Sequence, residues 1–483
     1  MTMLLGRLLT ELKPPQEAAR IRVTGVAVDS RLVKPGDVFF AIPGNAADGA
    51  KFVGDAVAKG AVAVVGVPGV SAAVPVIHTL NPRRELALAA ARFFEVQPRV
   101  MGAVTGTNGK TSVAAFTREI WTAMGFRAAS LGTVGIVGPQ GETSLAHTTP
   151  DPVTLHEALE GMVKDHVSHL AIEASSHGLA QHRLDGLRLT AGAFTNLTRD
   201  HLDYHATPEA YFEAKMRLFD ELLPHSAGAV INADAPLAED VEKRARARGL
   251  CVYTVGRKGK ALRLTGLRQE GFGQHLTIET PEFKRQVYLP LAGEFQASNA
   301  LVAAGLVIAC GGEPHVAIWA LEKLKGAKGR LDLAVRTKAG APIFVDYAHT
   351  PDAIETALIA LRPYVTGKLA VVFGCGGDRD KGKRPLMGAA ACKFADVVYV
   401  TDDNPRSEDP AQIRREVLAA APGAIEIGDR ESAIHQAVAA LRAGDVLLLA
   451  GKGHETGQII GNQVRPFSDH DVAKAAAGEL VNG

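Results

Sequence analysis

The chain has little of what marks several common protein classes. Its 483 residues include four cysteines, Cys251, Cys310, Cys375 and Cys392, widely spaced and with no CxxC pair. That pattern argues against a zinc site and a disulfide framework. Net charge is nearly absent, since 53 lysines and arginines against 52 aspartates and glutamates leave +1. Nothing in that balance calls for nucleic acid or an acidic membrane surface as partner. No stretch is apolar for the length of a membrane span, and no charged segment followed by a long apolar run opens the sequence. A cytoplasmic protein with no membrane insertion is expected. Solenoid repeats and low-complexity tracts are missing too. This length predicts about three domains, each able to bury its own core.

What is present begins with Val104-Thr105-Gly106-Thr107-Asn108-Gly109-Lys110-Thr111, followed by Ser112. Residues 100–104 predict a buried strand and residues 112–124 a helix. Strand, short Gly/Thr turn and helix aim backbone N–H groups and a helix N-terminus at phosphate oxygens. Lys110 is placed to neutralise charge, and the Thr111 hydroxyl suits Mg²⁺. The common G-x-x-x-x-G-K-[ST] spacing is not met, because residue 104 is valine. The competing explanation is a chance Gly-rich turn, which the flanking strand and helix disfavour. The segment marks a nucleotide user.

Three blocks follow from the order of turn and strand signals: residues 1–98, 99–328 and 329–483. The first mixes short apolar strands (21–28, 37–41, 61–65) with turns such as Lys34-Pro35-Gly36-Asp37. The second has strands at 169–172 and 187–194 and a helix over 208–222. Residues 326–330 read as a hinge. The third has strands at 343–345, 369–373, 397–400 and 446–450. Strand–helix alternation predicts an α/β fold with parallel sheets in the second and third blocks. Ligands in such sheets bind past the carboxyl ends of strands.

The oddest segments sit at those ends. Glu173 heads Glu173-Ala174-Ser175-Ser176-His177-Gly178, where an acid beside a phosphate loop suits Mg²⁺ and a capped turn is the plainer explanation. His201 and His205 stand at i, i+4, but no third ligand is nearby and HExxH is missing, against zinc. Asp346-Tyr347-Ala348-His349-Thr350-Pro351 could meet a nucleotide or simply start a helix. Gly374-Cys375-Gly376-Gly377-Asp378-Arg379 fails as a dinucleotide fingerprint, because its third glycine falls on Arg379. With Lys381, Lys383 and Arg384 beside it, this segment reads as a carboxylate or phosphate clamp.

In this order the motifs resemble those of the Mur ligases of peptidoglycan synthesis, most closely the type that adds the third amino acid (MurE type). The resemblance covers nearly the whole chain. It rests on Asp29-Ser30-Arg31 with Pro35-Gly36-Asp37, the phosphate loop, Thr148-Thr149-Pro150 and the Glu173 segment. It continues through residues 196–205, Ala214-Lys215, Asn299-Ala300, Gly329-Arg330 and the Asp346 segment. The Gly374 segment, Asp403-Asn404-Pro405-Arg406 and Gly451-Lys452-Gly453-His454-Glu455 complete it. Small departures are Ser112, where Thr is usual, and His147, where Asn often stands.

The resemblance implies three domains: an N-terminal α/β uridine-binding domain, a central ATPase-like parallel-sheet domain and a C-terminal Rossmann-like domain. It implies an ATP-dependent ligase, with ATP and Mg²⁺, acting on UDP-MurNAc-L-Ala-D-Glu. The γ-carboxylate of D-glutamate takes the γ-phosphoryl group of ATP, and an amine displaces phosphate from the acyl phosphate. Roles in cell-wall biogenesis, cell shape, division and the cell cycle would follow, for a monomeric enzyme. Gly106, Thr107, Asn108, Gly109, Lys110, Thr111, Ser112, Asn299, Arg330 and Asp346 would hold ATP. Thr111, Glu173, His201 and a carbamylated Lys215 would hold metal, with Lys110, Lys215 and His201 catalytic. Ser30, Asn45, Ala46 and Ala47 would meet the uridine end. Thr148, Thr149, Ser175, Gln181 and Arg183 would meet the muramoyl-dipeptide. Arg379, Asp403, Asn404, Pro405, Arg406, Gly451 and Glu455 would bind the amino acid.

That amino acid is expected to be meso-2,6-diaminopimelate. It differs from L-lysine by one distal carboxylate, for which Arg406 offers a bidentate fork that lysine-adding relatives lack there. Two alternatives compete. Folylpolyglutamate synthase shares the loop but not the Asp-Ser-Arg and Asp-Asn-Pro-Arg motifs. A switch NTPase would need neither an amine nor a carboxylate co-substrate.

Overall fold

In a computed structural model, residues 2–44, 48–198, 204–205 and 207–478 are described. They form two compact units. One comprises Met1–Leu264, Ile278–Lys284 and Leu301–Ala320, and the other Thr265–Thr277, Arg285–Ala300 and Leu321–Gly483.

The first unit contains a four-stranded parallel sheet in the order Gly25–Ala27, Asp37–Ala41, Ala63–Gly66 and Val76–His78. Asp37–Ala41 is buried along its whole length, as a strand covered on both faces must be. The larger sheet of this unit is centred on Val100–Thr105, between His169–Glu173 and Ala191–Phe194, all parallel. Ala128–Gly132 continues it on one side, and Gly228–Asn232 with Cys251–Gly256 on the other. Gly135–Gly138 and Gly141–Thr143 add an antiparallel edge. The strand expected over 187–194 is confined to Ala191–Phe194. Leu187 and Leu189 are buried in the same core without pairing, so their burial mimicked a strand. The helix after the Thr207 cap, whose side chain accepts from the Ala210 N–H, runs Pro208–Arg217 and then widens into a π-turn, Leu218–Leu222.

The second unit is built on a sheet ordered Asp332–Arg336, Pro342–Asp346, Val446–Ala450, Leu369–Phe373, Val397–Val400 and Ile425–Glu426. All neighbours are parallel except the first pair. The central runs are rich in Val and Leu, with buried side chains on both faces. The sequence reading missed a hairpin, Gly457–Ile460 with Gln463–Pro466. No helix among the described residues is long and apolar enough to cross a membrane.

Candidate active site

The phosphate loop follows the buried strand Val100–Thr105 and opens the helix Lys110–Ala123. Gly106 and Gly109 have φ of 149° and 86°, and a Cβ on Gly106 would collide with the Thr195 hydroxyl. Thr195, Asn196 and Thr198 cradle the turn. Asn196 accepts from the Asn108 N–H through its side chain (2.9 Å) and from the Thr107 N–H through its carbonyl (2.9 Å). Thr195 Oγ1 donates to the Asn108 carbonyl at 2.6 Å, and Thr107 Oγ1 to that of Thr198 at 3.2 Å. The helix is capped by Gly109, which has no side chain to bond its first turn, and a helix N-terminus of this kind suits an anion. Lys110 Nζ donates to the Gly106 and Thr107 carbonyls at 2.9 and 2.8 Å. Ser112 is buried in the first turn. These residues fit a nucleotide phosphate.

Glu173 ends its strand fully buried. Its carboxylate accepts from the Thr111 hydroxyl (3.1 Å), the Thr133 N–H (2.8 Å) and the Thr133 hydroxyl (3.2 Å). Thr133 Oγ1 also lies 3.0 Å from Thr148 Oγ1. Thr149 Oγ1 donates to the Glu173 carbonyl (2.9 Å) and lies 2.9 Å from Ser175 Oγ, which caps the short helix Ser176–Ala180. Arg183 Nη1 donates to the Thr149 carbonyl at 2.5 Å, and its Nη2 to Gln181 Oε1 at 2.8 Å. One hydrogen-bonded path therefore joins the expected metal residues Thr111 and Glu173 to the expected dipeptide residues Thr148, Thr149, Ser175, Gln181 and Arg183. Thr133 ties the two groups together and carried no signal in the sequence. Among the described residues no three His, Cys, Asp or Glu side chains converge on a metal position. Mg²⁺ needs fewer, because it takes phosphate and water oxygens beside one or two protein ligands, and the Thr111 and Glu173 oxygens suit it.

Lys215 is buried on the helix Pro208–Arg217, its Nζ 2.7 Å from the Gly106 carbonyl and 4.2 Å from the centre of the Tyr211 ring. Tyr211 donates to Thr107 Oγ1 at 3.2 Å. His201 lies outside the described residues, as do Asn45, Ala46 and Ala47. Ser30 is buried, between Asp29 and Arg31, whose guanidinium returns to the Asp29 carboxylate at 2.6 Å. Lys59, which the sequence reading did not single out, donates to the Ser30 and Arg31 carbonyls at 3.0 Å each.

In the second unit, Asn299 Nδ2 donates to Gln296 Oε1 (3.3 Å), and Gln296 Nε2 to the Arg330 carbonyl (2.9 Å). The Arg330 guanidinium stacks over the Tyr347 ring at 4.7 Å. Asp346 ends the strand Pro342–Asp346 and accepts from the Leu331 N–H at 2.6 Å. Burial pushes its carboxyl up to about 6, against the opposing pull of Arg330 and the Leu331 and Ala348 N–H groups. The three expected nucleotide residues beyond the loop are thus one linked group.

Arg406 has φ of 52°, and its Nη1 donates to the Gly377 carbonyl at 2.8 Å. Among the described residues its Nε and Nη2 have no hydrogen-bond partner. Beside it, Lys452 Nζ reaches Asp403 Oδ1 (3.4 Å), Asn404 Oδ1 (3.0 Å) and Glu455 Oε2 (3.2 Å). Asn404 Nδ2 donates to the same Glu455 oxygen at 2.9 Å. Gly451 N–H donates to the Asp346 carbonyl at 3.1 Å, and Pro405 is buried. Arg379 is exposed and donates to the Asp378 carbonyl at 3.1 Å. The clamp expected from the neighbouring cations differs in part. Arg384 is fully buried and bound to Glu408 (2.9 Å) and Glu416 (2.8 Å), and holds the Glu408 carboxyl down at about 2. It braces the loop from inside, because a buried guanidinium must be paired.

Comparison with known proteins agrees with this layout. Family models match in chain order: the Mur ligase family catalytic domain over residues 22–99, the Mur ligase middle domain over 104–307, and the Mur ligase glutamate ligase domain over 329–453. The UDP-N-acetylmuramoyl-L-alanyl-D-glutamate--2,6-diaminopimelate ligase of Mesorhizobium japonicum is 56% identical over 465 residues, 96% of each chain. A solved structure of a protein with that same name is 34% identical, covers 99% of both chains and superposes with a TM-score of 0.73. A Mycobacterium tuberculosis folylpolyglutamate synthase complexed with ADP and AMPPCP shares the fold alone, at 18% identity and a TM-score of 0.63 over 83% of this chain and 96% of its own. The phosphate loop, Glu173, Asp346 and residues 403–406 fall within the matched stretches, and the chain belongs to the Mur ligase family.

Proposed function

We propose that the chain is an ATP-dependent amide ligase that joins meso-2,6-diaminopimelate to the D-glutamate γ-carboxylate of UDP-MurNAc-L-Ala-D-Glu in peptidoglycan precursor synthesis. The observation that carries the choice of amino acid is Arg406, with two unengaged donor positions beside the acceptors of Asp403, Asn404 and Glu455. That pairing suits a head group bearing both a carboxylate and an ammonium.

The chemistry asks for a cationic cradle, because a carboxylate and ATP repel each other. The loop N–H groups and Lys110 take the phosphates, and the γ-carboxylate oxygen attacks the γ-phosphorus. ADP leaves and an acyl phosphate forms. The Thr148–Thr149–Ser175 group and Arg183 orient the dipeptide, Arg183 as a carboxylate partner. The neutral amine of diaminopimelate then adds to the acyl carbon, and the tetrahedral intermediate loses a nitrogen proton to the departing phosphate or solvent and expels phosphate to leave the amide. Thr111, Glu173 and His201 would hold Mg²⁺, and a carbamylated Lys215 a second ion; the metal supplies charge neutralisation on the transferring phosphoryl group.

On this reading residues 1–98 receive the uridine end through Ser30 and the 45–47 stretch, residues 99–328 hold ATP, and residues 329–483 hold the amino acid. A monomer in the cytoplasm, serving cell shape and division through the wall, completes it. The test is a product assay with meso-diaminopimelate, L-lysine and L-ornithine offered in parallel, with phosphate release followed. Product with diaminopimelate, and phosphate release that needs both the UDP-sugar dipeptide and the amine, is expected. Phosphate release indifferent to both would make the chain a switch NTPase.

A further inference from the structure

Lys452 is fully buried and sits in the turn after the strand Val446–Ala450. Removing an ammonium from water costs several kcal/mol unless partners replace its hydration. Three acceptors do so, Asp403 Oδ1, Asn404 Oδ1 and Glu455 Oε2, and all three residues line the pocket assigned above to the amino acid. The turn that carries Lys452 is pinned from behind. Arg430 Nη2 donates to the Ala450 carbonyl at 3.0 Å, and Arg430 pairs with Asp469 at 2.7 Å, both fully buried. In front, the Ile459 N–H of the hairpin donates to Asn404 Oδ1 at 2.9 Å, the oxygen that Lys452 also holds. Lys452 has little freedom to leave its place.

We infer that Lys452 is a specificity-determining positioning residue, whose buried ammonium cancels one of the two carboxylate charges on the acidic side of the amino-acid pocket. This rests on the ligase reading given above. Asp403 and Glu455 bring two negative charges, and Lys452 offsets one, leaving a single charge to face a single substrate ammonium. Arg406 on the other side faces a single carboxylate. A zwitterionic head group therefore finds a balanced pocket, whereas an amine without the carboxylate leaves Arg406 uncompensated. Without Lys452, two carboxylates would outweigh Arg406, and the pocket would favour a plain cation. Lys452 acts through Asp403, Asn404 and Glu455 and lies beneath them, since it is closed off from solvent.

The experiment compares kcat/KM for meso-diaminopimelate and L-lysine in the full-length enzyme, in Lys452→Met and in Lys452→Met/Glu455→Gln, with ADP binding as the check on folding. The parent protein tests the reading beneath it separately: equal use of both amino acids overturns the choice of diaminopimelate, and no product with either overturns the ligase reading. Lys452→Met is expected to lower the diaminopimelate-to-lysine ratio at least about tenfold, through the KM for the amino acid and not that for ATP. The double variant restores a single negative charge on the acidic side, and its ratio is expected to return to within about threefold of the parent's. A ratio unchanged by Lys452→Met, or pushed further down in the double variant, overturns the inference. If Lys452→Met no longer binds ADP, the double variant decides alone. Loss of ADP binding in both would make Lys452 a structural strut and overturn the inference as well.

Discussion

Lys110 and Lys215, 105 residues apart in sequence, donate to one and the same acceptor, the Gly106 carbonyl, at 2.9 and 2.7 Å. Two ammonium groups on one oxygen repel each other, and Lys215 is buried. Converting Lys215 to a carbamate replaces that repulsion by attraction to Lys110 and leaves an anion suited to Mg²⁺. Lys215→Ala is expected to lose about two or more orders of magnitude in kcat, with partial recovery on adding bicarbonate or a small carboxylate. Lys110→Ala, by contrast, should show no such recovery. An unmodified Lys215 in a crystal of active, nucleotide-bound enzyme would refute the carbamate.

Thr133 offers a second test in the same unit. It gives Glu173 two hydrogen bonds and touches Thr148. Thr133→Val keeps the shape and the backbone donor but deletes the hydroxyl. Each hydrogen bond to a charged group contributes roughly 1.5–3 kcal/mol. The Mg²⁺ concentration for half-maximal rate should rise severalfold, and Glu173→Gln should raise it further. An unaltered Mg²⁺ titration in both variants would detach this carboxylate from the metal.

Much of this architecture was legible before any coordinates. Strands at 369–373, 397–400 and 446–450 match the observed ones to the residue, because continuous Val/Leu/Ile runs bounded by turn residues have one reading in a parallel sheet. The phosphate loop and Glu173 were equally plain. Leu187 and Leu189 misled because a buried loop looks apolar in the same way as a strand. Thr133 and Lys452 could not be singled out, since much of their weight comes from Glu173, 40 residues from Thr133, and from Asp403 and Asn404, 49 and 48 residues from Lys452. The hairpin was recoverable from Gly461-Asn462, a two-residue turn signal after Ile459-Ile460, with Gly461 at φ 58°. Arg384 resembled an exposed clamp residue because sequence does not reveal burial.

Gly329 has φ of 67°, and a Cβ there would collide with the backbone of Gly453 and His454. The Gly329 carbonyl also accepts from the Tyr347 N–H at 2.9 Å. Residues 326–330 thus interlock with the turn that carries Lys452 and Glu455. Gly329→Ala must displace that turn, at a cost of roughly 1–3 kcal/mol of backbone strain before any collision is counted. The KM for the amino acid is expected to rise although Gly329 lies on the expected hinge. An unaffected KM, with only thermal stability lowered, would argue against this coupling.

His156 is a buried imidazole with no hydrogen-bond partner on either ring nitrogen among the described residues. Burial, aided by Arg188, pushes its pKa down to about 4. An ordinary histidine in the unfolded chain titrates near 6.5, so the unfolded state binds the proton first as the pH falls. The stability of the neutral form is therefore complete above pH 6.5 and is lost as the pH drops towards 4. At pH 5 the loss amounts to roughly 2 kcal/mol. His156→Leu should flatten the pH dependence of Tm between 7 and 5, which scanning calorimetry would show. Parallel profiles for the two proteins would mean that His156 is hydrated or relaxes on protonation.

The proposed choice of amino acid rests on Arg406. Its Nη1 is tied to the Gly377 carbonyl, and its left-handed backbone, φ 52°, is braced by the Arg406 N–H to Ile459 carbonyl bond of 3.1 Å. The guanidinium is therefore oriented in advance, and little side-chain entropy remains to be lost on binding a carboxylate. On the proposed reading diaminopimelate pairs with it, whereas L-lysine leaves it unpaired. That asymmetry is worth roughly 2–5 kcal/mol, or between one and four orders of magnitude in kcat/KM. Arg406→Ala should lose diaminopimelate use on that scale while the KM for ATP changes little. Arg406→Lys should recover only part of the loss, because an ammonium cannot grip both carboxylate oxygens. If the native protein joins L-lysine as readily as diaminopimelate, the head-group assignment fails, and the phosphate loop with its acyl-phosphate chemistry stands unaffected.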